Sequence, residues 1–349
     1  MLNEKDIKHC DSSNMFEVLV NFSKQIEEAV AIGGGIKLNK EYPDVKNIVI
    51  CGMGGSAIGG DLLRSVLQYE IKIPLYVNRN YRLPAFAGEN TLVIASSYSG
   101  NTEETLSAYQ EAKERECKII CISSGGNLSL LAENEGRLLI KIPRGYQPRC
   151  AIAYSFFPLL ILMNKLGLIS GKLKEIDRII SRMKKRSNEY PVLTEDNPAL
   201  RIAQYLQGKY PVIYSSTDLL DIANLRWRGQ INENAKSLAF GSLLPEMNHN
   251  EILGWQENPE LMKKLVIISL EDKDDHPQIK KRQKITFGLI SNLSDMLLEI
   301  EGEGESLLER VFDLIHLGDW VSFYLAVLYK VDPTPVEKIN YLKSKLTES

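Results

Sequence analysis

The chain of 349 residues is 44% hydrophobic and 25% charged, with 42 Lys and Arg against 45 Asp and Glu and a formal net charge of −3. This balance offers no broad basic surface, which argues against an extended nucleic-acid backbone as partner, and the length exceeds one ordinary core, so two domains are expected. The opening Met1-Leu2-Asn3-Glu4-Lys5-Asp6 lacks the basic stretch and apolar run of a secretion signal, and the most apolar run, 151–163, falls short of the roughly 18 residues that span a bilayer, so a cytoplasmic protein with no membrane partner is the expectation.

Through the first half, short β-branched runs alternate with helical stretches, the rhythm of a parallel sheet with crossover helices. Residues 45–51 read as a strand, followed by a Gly-rich turn and a helix through Leu67. Strands at 75–78 and 91–95 come next, then a polar turn and a helix over 103–115 with Leu106, Tyr109 and Ala112 at helical spacing. Strands at 118–122 and 138–142 complete one doubly wound domain. Residues 151–163, although interrupted by Tyr154, Ser155 and Pro158, read as a buried helix.

The charged stretch 172–190 carries Ile176, Ile179, Ile180 and Met183 at helical spacing and reads as a connecting helix, with a hinge in 191–198. Beyond it the rhythm restarts more weakly: strand 211–214, helix 218–231, strands 265–269 and 296–300. A long amphipathic helix over 306–329 is expected to stop at the prolines of Asp332-Pro333-Thr334-Pro335, and a short helix over 336–345 to close the chain. The pattern predicts an α/β protein of two doubly wound parallel-sheet domains with flanking helices, 1–190 and 191–349, the second a degenerate copy of the first.

Cys10, Cys51, Cys117, Cys121 and Cys150 are too dispersed for a disulfide framework. Cys117 and Cys121 flank a strand-like run with no histidine nearby, so packing is expected of them and no metal site. The turn Cys51-Gly52-Met53-Gly54-Gly55-Ser56-Ala57-Ile58-Gly59-Gly60 follows a strand and opens a helix, where free N–H groups and the helix dipole favour an anion. It also fits a loose dinucleotide fingerprint. Against that reading, the second strand ends at Val77-Asn78-Arg79-Asn80 with no acidic residue for an NAD ribose, although Arg79 leaves an NADP variant open.

The third strand ends in Ser96-Ser97-Tyr98-Ser99-Gly100-Asn101-Thr102-Glu103-Glu104-Thr105. Helix capping explains one hydroxyl in such a turn. It does not explain several within six residues beside a second Gly-rich turn, so Ser97, Ser99 and Thr102 are expected to donate to a phosphate, with N–H groups at the helix start donating from behind.

Gly54-Gly55-Ser56 together with Ser97-Tyr98-Ser99-Gly100-Asn101-Thr102-Glu103 resembles the phosphate cradle of the sugar isomerase (SIS) domain superfamily, which includes isomerases, aminotransferase modules and sugar-phosphate-sensing regulators. Gly145-Tyr146-Gln147-Pro148-Arg149, Asn232-Glu233-Asn234-Ala235-Lys236, His249-Asn250-Glu251-Ile252, and Asp332-Pro333-Thr334-Pro335-Val336 with Leu342-Lys343 narrow the likeness. In that order they are similar to the motifs of the bifunctional phosphoglucose/phosphomannose isomerase family, over about 45–343.

The resemblance implies two SIS-type domains and a cofactor-free isomerase of carbohydrate metabolism, in glycolysis and gluconeogenesis, that interconverts glucose 6-phosphate and mannose 6-phosphate with fructose 6-phosphate. Such a reaction takes a proton from one carbon and returns it to its neighbour through a cis-enediol, which a tuned carboxylate can do. By resemblance Glu233 is that base, and His249 among the four histidines His9, His249, His276 and His316 suits ring opening.

Lys343 resembles the family's C-terminal lysine, with Lys338 close by as a competitor. Arg149 resembles the guanidinium that stabilises the enediolate, with Arg144 as its neighbour and rival. Gly55, Ser56, Ser97, Ser99 and Thr102 correspond to the phosphate site, joined by Arg149, His249 and Lys343 as substrate contacts. Thr334 resembles the position linked to acceptance of both C2 epimers. The family also implies a homodimer whose active sites are completed across subunits. The alternative is a sugar-phosphate-binding regulator, disfavoured because residues before Val45 show no helix-turn-helix with a basic recognition helix.

Overall fold

The computed structural model describes residues 2–38, 42 and 44–347. Two short helices, α1 (Glu4–Cys10) and α2 (Met15–Val20), open the chain. At α1 the Asn3 side chain accepts from the N–H groups of Lys5 and Asp6, and the Asp6 carboxylate accepts from the Asn3 N–H, a reciprocal cap.

Residues Phe22–Ser181 form one compact unit. It contains α3 (Phe22–Gly34), β1 (Asn47–Cys51), α4 (Gly54–Leu67), β2 (Leu75–Asn78), β3 (Thr91–Ser97), α5 (Glu103–Glu114), β4 (Lys118–Ser123), α6 (Gly126–Asn134), β5 (Leu138–Lys141), α7 (Ile152–Lys165) and the start of α8 (Ile176–Glu189). The strands are parallel, in the order β2-β1-β3-β4-β5. Every residue of β3 is buried, which is why it reads as a continuous apolar run and not an alternating one. Ala108, Tyr109 and Ala112 of α5 and Leu128 of α6 close over Val49, Val93, Ile119 and Cys121. Helices α3 and α4 pack on α7, whose first twelve residues are all buried around Pro158.

The other unit is Met1–Asn21 with Arg182–Ser349. After α8 it holds α9 (Pro198–Leu206), β6 (Tyr210–Ser216), α10 (Asp221–Asn234), β7 (Phe240–Leu244), α11 (Pro259–Met262), β8 (Leu265–Glu271), α12 (Pro277–Ile290), β9 (Met296–Glu301), α13 (Leu307–Leu328) and α14 (Glu337–Thr347). Its sheet is also parallel, in the order β7-β6-β8-β9. Helix α13 is long and apolar enough to cross a membrane, but it is buried among α1, α2, α9 and α10.

Packing divides the chain differently from the expected 1–190 and 191–349. Residues 1–21 join the second unit because the Phe16 ring meets Trp320 edge-on at 5.3 Å and lies 5.9 Å from Phe323. The other boundary falls inside α8, where Arg186 is held to Asp313 of α13 by a buried ion pair, Nε to Oδ1 at 2.7 Å. The end of α13 also differs in cause from expectation. Lys330 turns left-handed (φ 56°), its N–H meets the Val327 carbonyl at 3.0 Å and the Val331 N–H meets that of Ala326, a Schellman stop completed before Pro333 is reached.

His316, on α13, is fully buried and its Nε2 accepts from the Trp320 indole at 3.1 Å. Burial, then the charges of Arg186 and Arg226, push its pKa down to about 3. The folded value thus lies below the unfolded one of roughly 6.5. The stabilising contribution is full above that unfolded value and is lost as pH falls toward the folded one, at up to about 1.4 kcal/mol per pH unit. Thermal melts should therefore drop more steeply between pH 7 and pH 4 for the native protein than for His316→Gln; equal slopes would refute this.

Candidate active site

In the unit Phe22–Ser181 the strand order reverses between β1 and β3, so the turns leaving their carboxyl ends lie side by side at a topological switch point, where open α/β sheets bind ligands. Met53, at the start of α4, and Thr102, at the start of α5, make no side-chain capping bond. Both helix starts thus offer N–H groups and positive dipole ends to an anion. Capping, one possible use of the hydroxyl-rich turn, does not account for Thr102.

The expected hydroxyls come together here. The Ser56 Oγ accepts the Tyr98 N–H at 3.0 Å. The Ser97 Oγ accepts the Gly100 N–H at 3.0 Å and lies 2.9 Å from the Thr102 hydroxyl, while the Ser99 Oγ accepts the Asn101 N–H at 3.2 Å. Ser97 is wholly buried and shapes the turn, whereas Ser99 is exposed and Thr102 half-buried.

Tyr98, to which the sequence assigned no role, is the hub of this arrangement. Besides its bond to Ser56, its carbonyl accepts the Ser124 hydroxyl at 2.6 Å and N–H at 3.1 Å, and its phenol oxygen accepts the Tyr146 N–H at 2.9 Å. It therefore ties the turns after β1, β3 and β4 to the segment that leads into Arg149.

Arg149 is buried in a 3-10 turn, Pro148–Cys150, against the first turn of α4. The contact depends on Gly55: a Cβ there would lie 2.3 Å from the Pro148 carbonyl oxygen and 3.2 Å from the Arg149 nitrogen. Gly55 thus lets the chain bring Arg149 beside the start of α4. Arg144, its rival, donates from Nε to the Ser124 carbonyl at 2.7 Å and lies along Gly125. Arg79, which left an NADP variant open, forms a two-pronged pair with Asp61 of α4.

In the unit of Met1–Asn21 and Arg182–Ser349, Glu233 sits half-buried in the last turn of α10. Four ties fix that helix on α13. The Trp227 indole donates to the Leu314 carbonyl at 2.7 Å, Arg226 pairs with Asp319 at 2.7 Å, Gln230 donates to Asp319 at 2.9 Å and Asn234 to the Ser322 hydroxyl at 2.9 Å. Gly318 makes the approach possible, since a Cβ there would lie 2.3 Å from the Trp227 indole nitrogen.

Thr334 is brought next to the end of α10, because Lys236 Nζ donates to both the Glu233 carbonyl at 2.5 Å and the Pro333 carbonyl at 3.2 Å. Thr334 is buried, and its N–H donates to Asp332 Oδ1 at 2.8 Å.

His249 ends a 3-10 turn, Glu246–His249, after β7 and is exposed. The chain just beyond it is pinned by Glu251, whose carboxylate accepts the Tyr214 phenol at 2.6 Å and the Ser242 hydroxyl, with the Trp255 indole donating to the Tyr214 oxygen at 3.0 Å. Burial first, then Glu251, raise the Tyr214 pKa and keep it a donor. Lys343 and its rival Lys338 both lie exposed on α14. The expected residues therefore gather, in one unit, around the starts of α4 and α5 with Arg149 beside them, and in the other as a Glu233–Thr334 neighbourhood with His249 and Lys343 on separate segments.

The partners that position Glu233 left little trace in the sequence. Nothing in the motif around it pairs Arg226 with Asp319, 93 residues away, or Trp227 with Gly318. A tryptophan beside a lone glycine in an apolar helix is a signal only once the helices are known to touch.

Residues 41–166 match the model of the SIS domain, and residues 195–346 match the model of the bacterial phospho-glucose isomerase C-terminal SIS domain. The C-terminal domain of glucosamine-fructose-6-phosphate aminotransferase from Francisella tularensis has a similar fold, with a TM-score of 0.67 at 16% identity over 91% of this chain and 97% of that one. A bifunctional phosphoglucose/phosphomannose isomerase of Aquifex aeolicus is 38% identical over 95% of this chain and 98% of its own. Another, of Caldicellulosiruptor bescii, is 47% identical over 96% of this chain and 99% of its own. Two parallel sheets of this type and a likeness that runs the length of both chains make this protein a member of the bifunctional phosphoglucose/phosphomannose isomerase family.

Proposed function

We propose that the protein interconverts glucose 6-phosphate and mannose 6-phosphate with fructose 6-phosphate by proton transfer through a cis-enediol. The observation that carries this reading is the pair of helix starts without side-chain caps at the switch point, flanked by Ser56, Ser97, Ser99 and Thr102 and with Arg149 held against α4 by Gly55. That is a cradle for a dianionic phosphate with a guanidinium beside it.

Glu233 removes the proton from C2 of the open-chain aldose and returns it to C1, so that the C1 aldehyde becomes the alcohol and C2 the ketone. Arg149 stabilises the negative charge that builds on the enediolate oxygens. His249 shuttles the proton that opens the ring, and Lys343 assists at the ring oxygen or a hydroxyl. Thr334, short and buried, leaves space for either configuration at C2.

The protein acts as a homodimer in which each active site is completed by residues of two subunits. An exposed stripe on α14, Ile339, Leu342 and Leu346, supports a covering partner, because large apolar side chains at i, i+3 and i+7 form one helix face.

Purified protein treated with a chelator should form fructose 6-phosphate from glucose 6-phosphate and, in a separate reaction, from mannose 6-phosphate. Loss of both activities on chelation contradicts the metal-free mechanism. Binding of both sugars with turnover of neither would make the protein a sensor built on the same cradle.

A further inference from the structure

We infer that Lys236 is a positioning residue that sets the distance between the base and the segment that admits both epimers. The inference deepens the proposed function and rests on its assignment of Glu233 and Thr334.

Helix α10 ends at Asn234, and two residues later Lys236 adopts a left-handed backbone (φ 55°). That turn throws its side chain back along the helix end. Its ammonium then donates to the Glu233 carbonyl at 2.5 Å and to the Pro333 carbonyl at 3.2 Å. The second bond crosses 97 residues of sequence to reach the peptide carbonyl that immediately precedes Thr334. One cation therefore clamps the backbone of the proposed base to the backbone of the proposed specificity residue.

A left-handed lysine also follows α13. There the second carbonyl from the helix end, Val327, is met by the backbone N–H of left-handed Lys330 at 3.0 Å, and no long side chain is needed for that bond. At the end of α10 the equivalent carbonyl belongs to Glu233 and receives the Lys236 ammonium. Three donors on a flexible stem let lysine serve two carbonyls that face it from different segments.

The far side of the clamp is fixed independently. Asp332 accepts the Thr334 N–H and the hydroxyl of Ser12, so the 332–334 turn has its own anchor in the N-terminal segment. Without the Lys236 ammonium the ties of α10 to α13 and the Asp332 anchor remain, and the direct link between the two segments is lost. A change of that kind alters turnover and epimer preference before it alters folding, because an error of about 1 Å between reacting groups costs about 100-fold in rate.

The left-handed backbone supplies the test. Lys236→Gly removes the ammonium at a position where glycine is at least as well accommodated as lysine, so the fold should persist. Lys236→Met removes the ammonium but keeps the stem. Both variants should melt within a few degrees of the native protein, lose about 10- to 100-fold in kcat with a smaller change in KM, and shift the ratio of mannose to glucose 6-phosphate turnover. Lys236→Arg, which can still reach two carbonyls, should recover part of the loss.

Native kcat on both substrates and an unchanged ratio in Lys236→Gly would overturn the inference. Glu233→Gln, assayed beside them, tests the base by itself. If it retains turnover, the base assignment fails, and the Lys236 clamp is still judged by the epimer ratio. A fall in melting temperature that accompanies the loss of rate in Lys236→Met, with Lys236→Gly fully active, would make the ammonium a structural tie only and would also overturn the inference.

Discussion

Glu233→Gln should bind hexose 6-phosphates with near-native affinity and lose about 100- to 10,000-fold in kcat on both aldoses, the range that a general base contributes. The expectation follows from where the residue sits. Its helix is anchored on α13 by Arg226, Trp227, Gln230 and Asn234, and none of those ties uses the Glu233 carboxylate. An amide of the same shape should therefore leave the helix in place and remove only the basic oxygen. Isothermal titration with fructose 6-phosphate measures the binding and a coupled assay measures the rate. Near-native turnover with intact binding would show that another group moves the proton.

Gly55→Ala carries the second large effect. The added methyl would meet the Pro148 carbonyl oxygen at 2.3 Å, and because that atom is backbone, either the start of α4 or the Pro148–Cys150 turn must move. Either movement separates Arg149 from the proposed cradle. A displacement of about 1 Å predicts a loss of about 100-fold in kcat/KM, or about 2.7 kcal/mol of transition-state stabilisation, equal for the two aldoses because the phosphate and the enediolate are common to both. Gly88→Ala, with no atom within 4 Å of the added methyl, is the control and should be unaffected. Full activity in Gly55→Ala would mean that the contact between α4 and Arg149 is unimportant to the reaction.

The first sheet was readable in the sequence almost strand for strand, because buried parallel strands appear as unbroken β-branched runs between Gly-rich or polar turns. The expected strand at 75–78 has the bounds of β2, and the expected helix over 103–115 differs from α5 by one residue. The second sheet was harder. Strand β7, Phe-Gly-Ser-Leu-Leu, has a glycine, a serine and a half-exposed pattern as an edge strand, so neither alternation nor a β-branched run marks it.

Helices α1, α2 and α9 also escaped, being short and drawing their stability from packing on α13 more than from pattern. The chain's division into 22–181 on one side and 1–21 with 182–349 on the other rests on Phe16 against Trp320, a contact between residues 304 apart that no local pattern announces.

The site was legible in part for the same reasons. The proposed phosphate cradle is local in sequence, with two turns of glycine and hydroxyl residues whose chemistry can be read without a fold. What the sequence concealed were the supports: Tyr98 joining three turns, Gly55 admitting Arg149, Glu251 fixing the turn behind His249, and Lys236 bridging Glu233 to Pro333. Each is an ordinary residue whose partner lies on another segment. Motif order identifies the family, but these contacts depend on tertiary approach.

A single base that moves a proton between C1 and C2 and tolerates either configuration at C2 can be followed by incubating the protein with fructose 6-phosphate in deuterium oxide and observing the products by proton NMR. Glucose 6-phosphate and mannose 6-phosphate should both form, and both should carry deuterium at C2 as the enediol exchanges with solvent. Formation of a single aldose would contradict that mechanism.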